Sequence, residues 1–121
     1  MRTASQIRPY RISDFWRVYK VEQAAFRKTI AFQHTKLWKY LLRYSSVVAV
    51  LNGQVVGYIT YGVPRKNGLI VSMAVSPSAR GHGLGRRLLR RALRDFKKRG
   101  TPIVYLHVGV GNRPAIALYK R

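Results

Sequence analysis

Leu69-Ile70-Val71-Ser72-Met73-Ala74-Val75 runs into Ser76-Pro77-Ser78-Ala79, then Arg80-Gly81-His82-Gly83-Leu84-Gly85, then a basic amphipathic segment ending near Phe96. The first piece is apolar on both faces, as expected for a strand at the centre of a sheet, and Pro77 stops it. The glycines then remove side chains where a helix begins. Backbone N–H groups can converge on an anion there, with about half a positive charge from the helix N-terminus behind them. Strand, turn, glycine-rich loop and helix together predict a phosphate-holding junction in an α/β fold. Two familiar phosphate loops are excluded. A P-loop needs Lys and Ser/Thr after its last glycine, where Arg86-Arg87 stand, and G-x-G-x-x-G needs its third glycine where Arg86 stands.

Downstream, Leu84, Leu88, Leu89, Ala92, Leu93 and Phe96 recur at helical spacing from about residue 83 to 99. Arginines and lysines fill the opposite face, and Gly100 closes the helix. Thr101–Val110 reads as the next strand. Pro114, in a first turn, predicts a last helix over Ala115-Ile116-Ala117-Leu118-Tyr119. Upstream, Ser46–Leu51 and Gln54–Val63 flank Asn52-Gly53, a strong signal for a type I′ hairpin. Pro9 puts the short strand Ile7–Tyr10 at a sheet edge. Ser13-Asp14 predicts a cap for a helix carrying Phe15, Val18, Tyr19, Glu22, Ala25 and Phe26 on one side. Arg27–Gln33 reads as a loop. His34–Tyr44 reads as a second helix with Leu37, Trp38, Leu41 and Leu42 as its buried side. Two neighbouring central strands, each followed by a helix, predict a mixed sheet with helices on both faces.

At 121 residues, 47% of them hydrophobic, the chain reads as one domain over 1–121 with a real core. No apolar run approaches the ~20 residues of a membrane span, and no signal-peptide pattern opens the chain. With no cysteine, disulfides, thiolate zinc sites and a cysteine nucleophile are excluded. That suits a cytoplasmic protein. Against 24 Lys and Arg stand three acids, Asp14, Glu22 and Asp95, for a net charge of +21. Such a field attracts polyanions, and contact with RNA or ribosomes is one reading of it. A solvated basic surface is the other. No RNA-recognition signature accompanies the charge.

The pattern Arg/Gln-x-x-Gly-x-Gly/Ala, filled by Arg80, Gly83 and Gly85, resembles the pyrophosphate loop of the GNAT superfamily of acetyl-coenzyme A-dependent N-acetyltransferases. Asn112-Arg113-Pro114-Ala115-Ile116-Ala117-Leu118-Tyr119 resembles that superfamily's second signature. The likeness is greatest to the ribosomal-protein-alanine and archaeal protein N-terminal acetyltransferases, whose first helix Tyr19–Phe26 also resembles. The resemblance covers nearly the whole chain. It implies a GNAT fold: a mixed, mostly antiparallel sheet of about five strands with helices on both faces. It also implies that acetyl-CoA is co-substrate, with no metal, and that acetyl passes directly to a primary amine, foremost a peptide or protein N-terminus.

Carried over residue by residue, the resemblance has the backbone of Met73, Ala74 and Val75 pair with the pantetheine arm. The loop residues Arg80, Gly81, His82, Gly83, Leu84, Gly85 and Arg86 hold the pyrophosphate. Asn112 meets the pantetheine from the side, and Tyr119 protonates the leaving thiolate. Relatives commonly place a Glu on the strand before the second signature, where this chain has His107. The base is His107, Glu22 or solvent. Glu22 is otherwise a carboxylate saturated by a neighbouring arginine. Relatives also continue past the Tyr119 helix into a closing β-hairpin, which is missing after Arg121. The acceptor groove is then open, or completed by a second copy, or activity is crippled. An inactive coenzyme A-binding scaffold and a basic RNA- or ribosome-associated module are the competing readings.

Overall fold

The computed structural model describes residues 4–25, 34–101, 103–107 and 114–118. Within them lie β1 (Ser5–Pro9), α1 (Phe15–Ala25), α2 (His34–Arg43), β2 (Ser45–Leu51), β3 (Gln54–Gly62), β4 (Gly68–Val75), α3 (Leu84–Lys98), β5 (Ile103–His107) and β6 (Pro114–Leu118). The strands form one sheet in chain order, β1 to β6. Neighbours are antiparallel except β4 and β5, which are parallel.

Side-chain alternation along the strands sends residues to two separate cores. Val47 and Ala49 of β2, with Ile59 and Tyr61 of β3, pack against Leu84, Leu88, Ala92 and Phe96 of α3. Those four α3 residues sit four apart, one per turn, so the helix buries a single stripe. On the other face Val48, Val50 and Tyr58 pack against Phe15, Val18 and Val21 of α1 and Leu37 and Leu41 of α2. Helices thus cover both faces, as the alternating pattern requires. Asn52 and Gly53 both take positive φ, 51° and 82°, which the type I′ turn demands.

β1 is an edge strand, paired with β2 alone, and Pro9 ends it opposite Val47. Arg8 ties this edge to the start of α1. Its guanidinium donates two hydrogen bonds to Asp14, at 2.8 and 3.0 Å, while Asp14 also accepts the Arg11 N–H at 2.8 Å. The bond from Arg8 holds the Asp14 carboxyl below the usual carboxylate range, against the opposing effect of burial. Asp14 therefore caps a short 3-10 turn, Ile12–Asp14, that leads into α1.

Two expectations are corrected. The segment expected as a last helix is a strand: Pro114–Leu118 pairs antiparallel with β5, from His107↔Pro114 to Ile103↔Leu118, and adds a sixth strand to the expected mixed, mostly antiparallel sheet. Five residues are too few for a helix to sustain itself. The outer side of β5 offers them a ladder, and a proline is tolerated at the first position of an edge strand. On α2, Leu37 and Leu41 are buried as expected, but Leu42 stands out in solvent at 61% exposure and Trp38 is covered only in part, its ring set edge-on against Phe15. The contact stripe of α2 is only one residue wide per turn. The expected Arg27–Gln33 loop lies outside the described residues.

Candidate active site

The site is built where β4 changes neighbours. Thr60 of β3 pairs with Ser72, but the next residue, Tyr61, pairs with Ile70, so Val71 is an extra residue on β4. A bulge of this kind bends its strand and increases the local twist. β4 pairs with β5 only through Gly68, Leu69 and Ile70, opposite Val104, Tyr105 and Leu106. Pairing therefore stops at the bulge. Beyond it, residues 72–75 have no strand partner on the β5 side among the described residues, while β3 continues to hold their other side. Among the described residues that leaves a run of main-chain donors and acceptors along Met73, Ala74 and Val75 unpaired on this side, the geometry an extended ligand arm can pair with.

The open edge leads into the glycine-rich loop. Pro77–Ala79 makes one 3-10 turn, and the His82 imidazole is tied back to it, Nδ1 lying 3.1 Å from the Ala79 carbonyl. Gly81 and Gly83 hold φ of +89° and +72°. A Cβ at either would meet nothing within 4 Å, so their backbone angles, not crowding, make glycine the residue of choice. Gly83 is the N-cap of α3 and offers no side-chain cap, and the first turn holds no acid. The first N–H groups of a helix have no partner inside it. Here no side chain caps them, and the exposed side chains of Arg80 and Arg86 stand alongside, an arrangement able to take an external anion. This cradle fits a diphosphate.

Beneath β4, on the α1 side, three polar side chains converge in the core. Glu22 of α1 is 1% exposed. It accepts a hydrogen bond from the Tyr58 hydroxyl. Ser72 Oγ lies 3.3 Å from the same carboxylate oxygen and 2.6 Å from the Tyr58 oxygen. Burial, then the neighbouring Glu22 charge, push the Tyr58 hydroxyl well above its ordinary pKa, so it stays protonated as a donor. Ser72 follows the bulge directly, and Tyr58 pairs with Ala74. The network thus clamps the open part of β4 to α1. Sequence reasoning singled out Glu22 and missed Tyr58 and Ser72. The signal was available: a Tyr and a Ser at inward positions of two otherwise apolar strands need a partner.

β5 carries His107 to the point of divergence, one residue past Leu106, which pairs with Ile70. Leu118 pairs with Ile103 at the opposite end of β5. Asn112 and Tyr119 lie outside the described residues. Among the described residues no group of three His, Asp or Glu side chains comes together as a metal site. No described helix is long and apolar enough to cross a membrane.

A parallel strand pair parted at a bulge, with a glycine loop and an uncapped helix beyond it, is an α/β junction able to hold an extended, phosphate-bearing ligand. Residues 13–121 match the acetyltransferase (GNAT) family, and the chain belongs to that family. It is 31% identical over 134 residues to an N-alpha-acetyltransferase of Sulfurisphaera tokodaii, covering 96% of this chain and 77% of that one. Its fold is similar to that of the ribosomal-protein-S18-alanine N-acetyltransferase from Escherichia coli, with a TM-score of 0.78 at 24% identity over 87% of this chain and 67% of that one. It is also similar to a GNAT family acetyltransferase from Brucella melitensis solved in complex with acetyl-CoA, with a TM-score of 0.71 at 23% identity over 98% and 90%.

Proposed function

We propose that this chain, as a single acetyltransferase domain, transfers acetyl from acetyl-CoA to the α-amine at a protein N-terminus, within one ternary complex. The observation that carries the reading is the open edge of β4 running into the uncapped N-terminus of α3. The Met73–Val75 backbone receives the pantetheine arm. The N–H groups from Gly81 to Arg86, with Arg80, receive the diphosphate. Asn112 flanks the arm. The name of the S. tokodaii relative, an N-alpha-acetyltransferase, supports the α-amine as acceptor.

Acetyl-CoA supplies a thioester whose carbonyl carbon an amine can attack. An α-amine is mostly protonated at neutral pH and has to shed a proton first. His107, at the divergence of β4 and β5, takes that proton, directly or through one water, and an imidazole titrates in the right range. Glu22 is covered by the hydroxyls of Tyr58 and Ser72, so it acts as a positioning residue. Holding Ser72 and the bulge in place, it fixes where the carbonyl can lie. Tyr119 gives its hydroxyl proton to the departing sulfur, a role carried by the sequence signature.

The test is the pH profile of kcat/KM for transfer to a peptide N-terminus, read by mass spectrometry. The expected profile rises through roughly pH 6 to 7. His107→Ala abolishes that limb and lowers kcat by about 10²–10⁴-fold. Tyr119→Phe lowers kcat with the KM for acetyl-CoA unchanged. If calorimetry detects no acetyl-CoA binding, the reading fails. An unchanged profile in His107→Ala moves the base to solvent.

A further inference from the structure

Eight of the 24 Lys and Arg residues fall between Arg86 and Arg99, on or just after α3. The one acid in that run, Asp95, accepts the Tyr61 hydroxyl. Arg87, Arg90, Arg91 and Arg94, with Ile7 of β1, line a cleft of about 410 Å³. In that cleft the Arg91 Nε is buried with no hydrogen-bond partner. Arg87 with Arg91 and Arg90 with Arg94 are like charges one turn apart, each pair unfavourable by a few tenths of a kcal/mol. Arg87 donates a hydrogen bond to Ser5 Oγ at 2.7 Å, which ties α3 to β1, but four like charges on one face are more than that contact needs. A row of phosphates would reverse the sign of their repulsion, and arginine's planar fork, present at all four positions, matches phosphate oxygens two at a time. From Arg87 to Arg94 the helix advances about 10 Å.

The other features of this face narrow the partner. A helix that lies in a membrane surface needs an exposed apolar side, and the apolar stripe of α3 is spent on the core. Single strands are held by stacking on aromatic rings. The large exposed hydrophobics among the described residues, Ile12, Trp16, Trp38 and Leu42, belong to the segment from the 3-10 turn to α2, which covers the opposite face of the sheet. What remains is charge without stacking or insertion, which suits the regular backbone of a duplex.

We infer that the outer face of α3, centred on the Arg87–Arg94 cleft, docks this enzyme on the phosphate backbone of double-helical RNA. The choice of RNA over DNA rests on the protein acceptor proposed above. A protein N-terminus is first exposed where the chain is synthesised, on an RNA-rich surface, and a chain of net charge +21 is drawn to that polyanion. Because α3 and Glu22 lie on opposite faces of the sheet, docking leaves the α1 side accessible.

The test uses the full chain and a labelled RNA duplex of about 16 base pairs, titrated from about 50 to 200 mM salt. Arg87→Gln/Arg90→Gln/Arg94→Gln is compared with Arg17→Gln/Lys20→Gln/Lys39→Gln, which removes three charges from the opposite side. The α3 variant is expected to bind RNA at least about tenfold more weakly and to reduce the log–log salt slope by 2 to 3. The opposite-face variant should change affinity less than threefold, and both should bind acetyl-CoA as the wild type does. Equal weakening in the two variants overturns the inference in favour of bulk charge. So does a DNA duplex bound more than tenfold tighter than RNA, or anionic phosphatidylserine vesicles whose capture, in place of RNA's, depends on the α3 arginines. RNA docking without acetyl-CoA binding would sink the enzymatic reading and leave this one standing.

Discussion

Gly85 sits in the first turn of α3 with room to spare. A Cβ built there would stand 3.7 Å from Val75 Cγ2, an ordinary contact. Glycine inside a helix costs about 0.5–1 kcal/mol relative to alanine, so the protein would fold better with a methyl group at this position. Gly57 is a useful contrast: a Cβ there would press on the Ala74 carbonyl at 3.1 Å, so packing within the fold already favours glycine at that position. Gly85 is better explained by what must approach the loop from outside. Gly85→Ala is therefore expected to raise the urea midpoint, by up to about 1 kcal/mol of stability, while weakening acetyl-CoA binding by at least tenfold in calorimetry. A variant that gains stability and keeps its affinity would remove the case for close backbone approach at this turn. Substitution at Gly81 or Gly83 could not make the same distinction, because their positive φ strains any other residue whether or not a ligand is present.

At the scale of elements, the β4–α3 junction was legible in sequence because strand, glycines and helix each announce themselves locally. The hairpin at Asn52-Gly53 was legible for the same reason. What escaped was decided by tertiary neighbours. Nothing in Pro114–Leu118 distinguishes a short helix from a short strand, and the vacant side of β5 settles it. Trp38 and Leu42 fit the helical stripe of α2, yet the sheet below reaches only Leu37 and Leu41. The bulge at Val71 carries no sequence mark at all, though it is what opens the site. The docking of α1 rests on Glu22, Tyr58 and Ser72 in the same way, through partners 36 and 50 residues apart. Tyr58→Phe removes a hydroxyl donor from the buried carboxylate and is expected to cost about 1–3 kcal/mol at neutral pH. The pH dependence gives a second signature. The folded Tyr58 pKa lies above its unfolded value near 10, so the folded state keeps a proton that the unfolded chain gives up. That stability is present in full below pH 10 and declines as pH rises toward the folded value. The gap between wild type and Tyr58→Phe should narrow by about 1.4 kcal/mol per pH unit above pH 10. Tyr61, shifted the same way by burial and Asp95, is common to both proteins and cancels in the difference. A constant gap would mean that Tyr58 ionises as freely in the folded protein as in the unfolded one.

For the whole molecule, the charge balance is set by where the three acids went. Asp14 is taken by Arg8, Glu22 by Tyr58 and Ser72, and Asp95 by Tyr61. Three acids cannot balance 24 cationic side chains, so the cations repel one another across a domain of 121 residues. Most proteins carry enough surface pairs that added salt weakens as many contacts as it relieves. Here repulsion dominates, and screening should stabilise. Between about 0.01 and 0.1 M salt the screening length falls from about 30 to 10 Å, shorter than the span of the domain. The melting temperature of nucleic-acid-free protein is expected to rise over that interval, by roughly 3–6 °C for each kcal/mol of repulsion removed. Sulfate or phosphate should raise it further than chloride at matched ionic strength. A polyvalent anion bound among the α3 arginines favours the folded state by mass action, whereas screening alone depends only on ionic strength. The Arg87→Gln/Arg90→Gln/Arg94→Gln variant should start from a higher melting temperature in low salt and lose the extra response to sulfate. If the melting temperature instead falls as salt is added, attraction outweighs repulsion on this surface, and the strain assigned to α3 is not there.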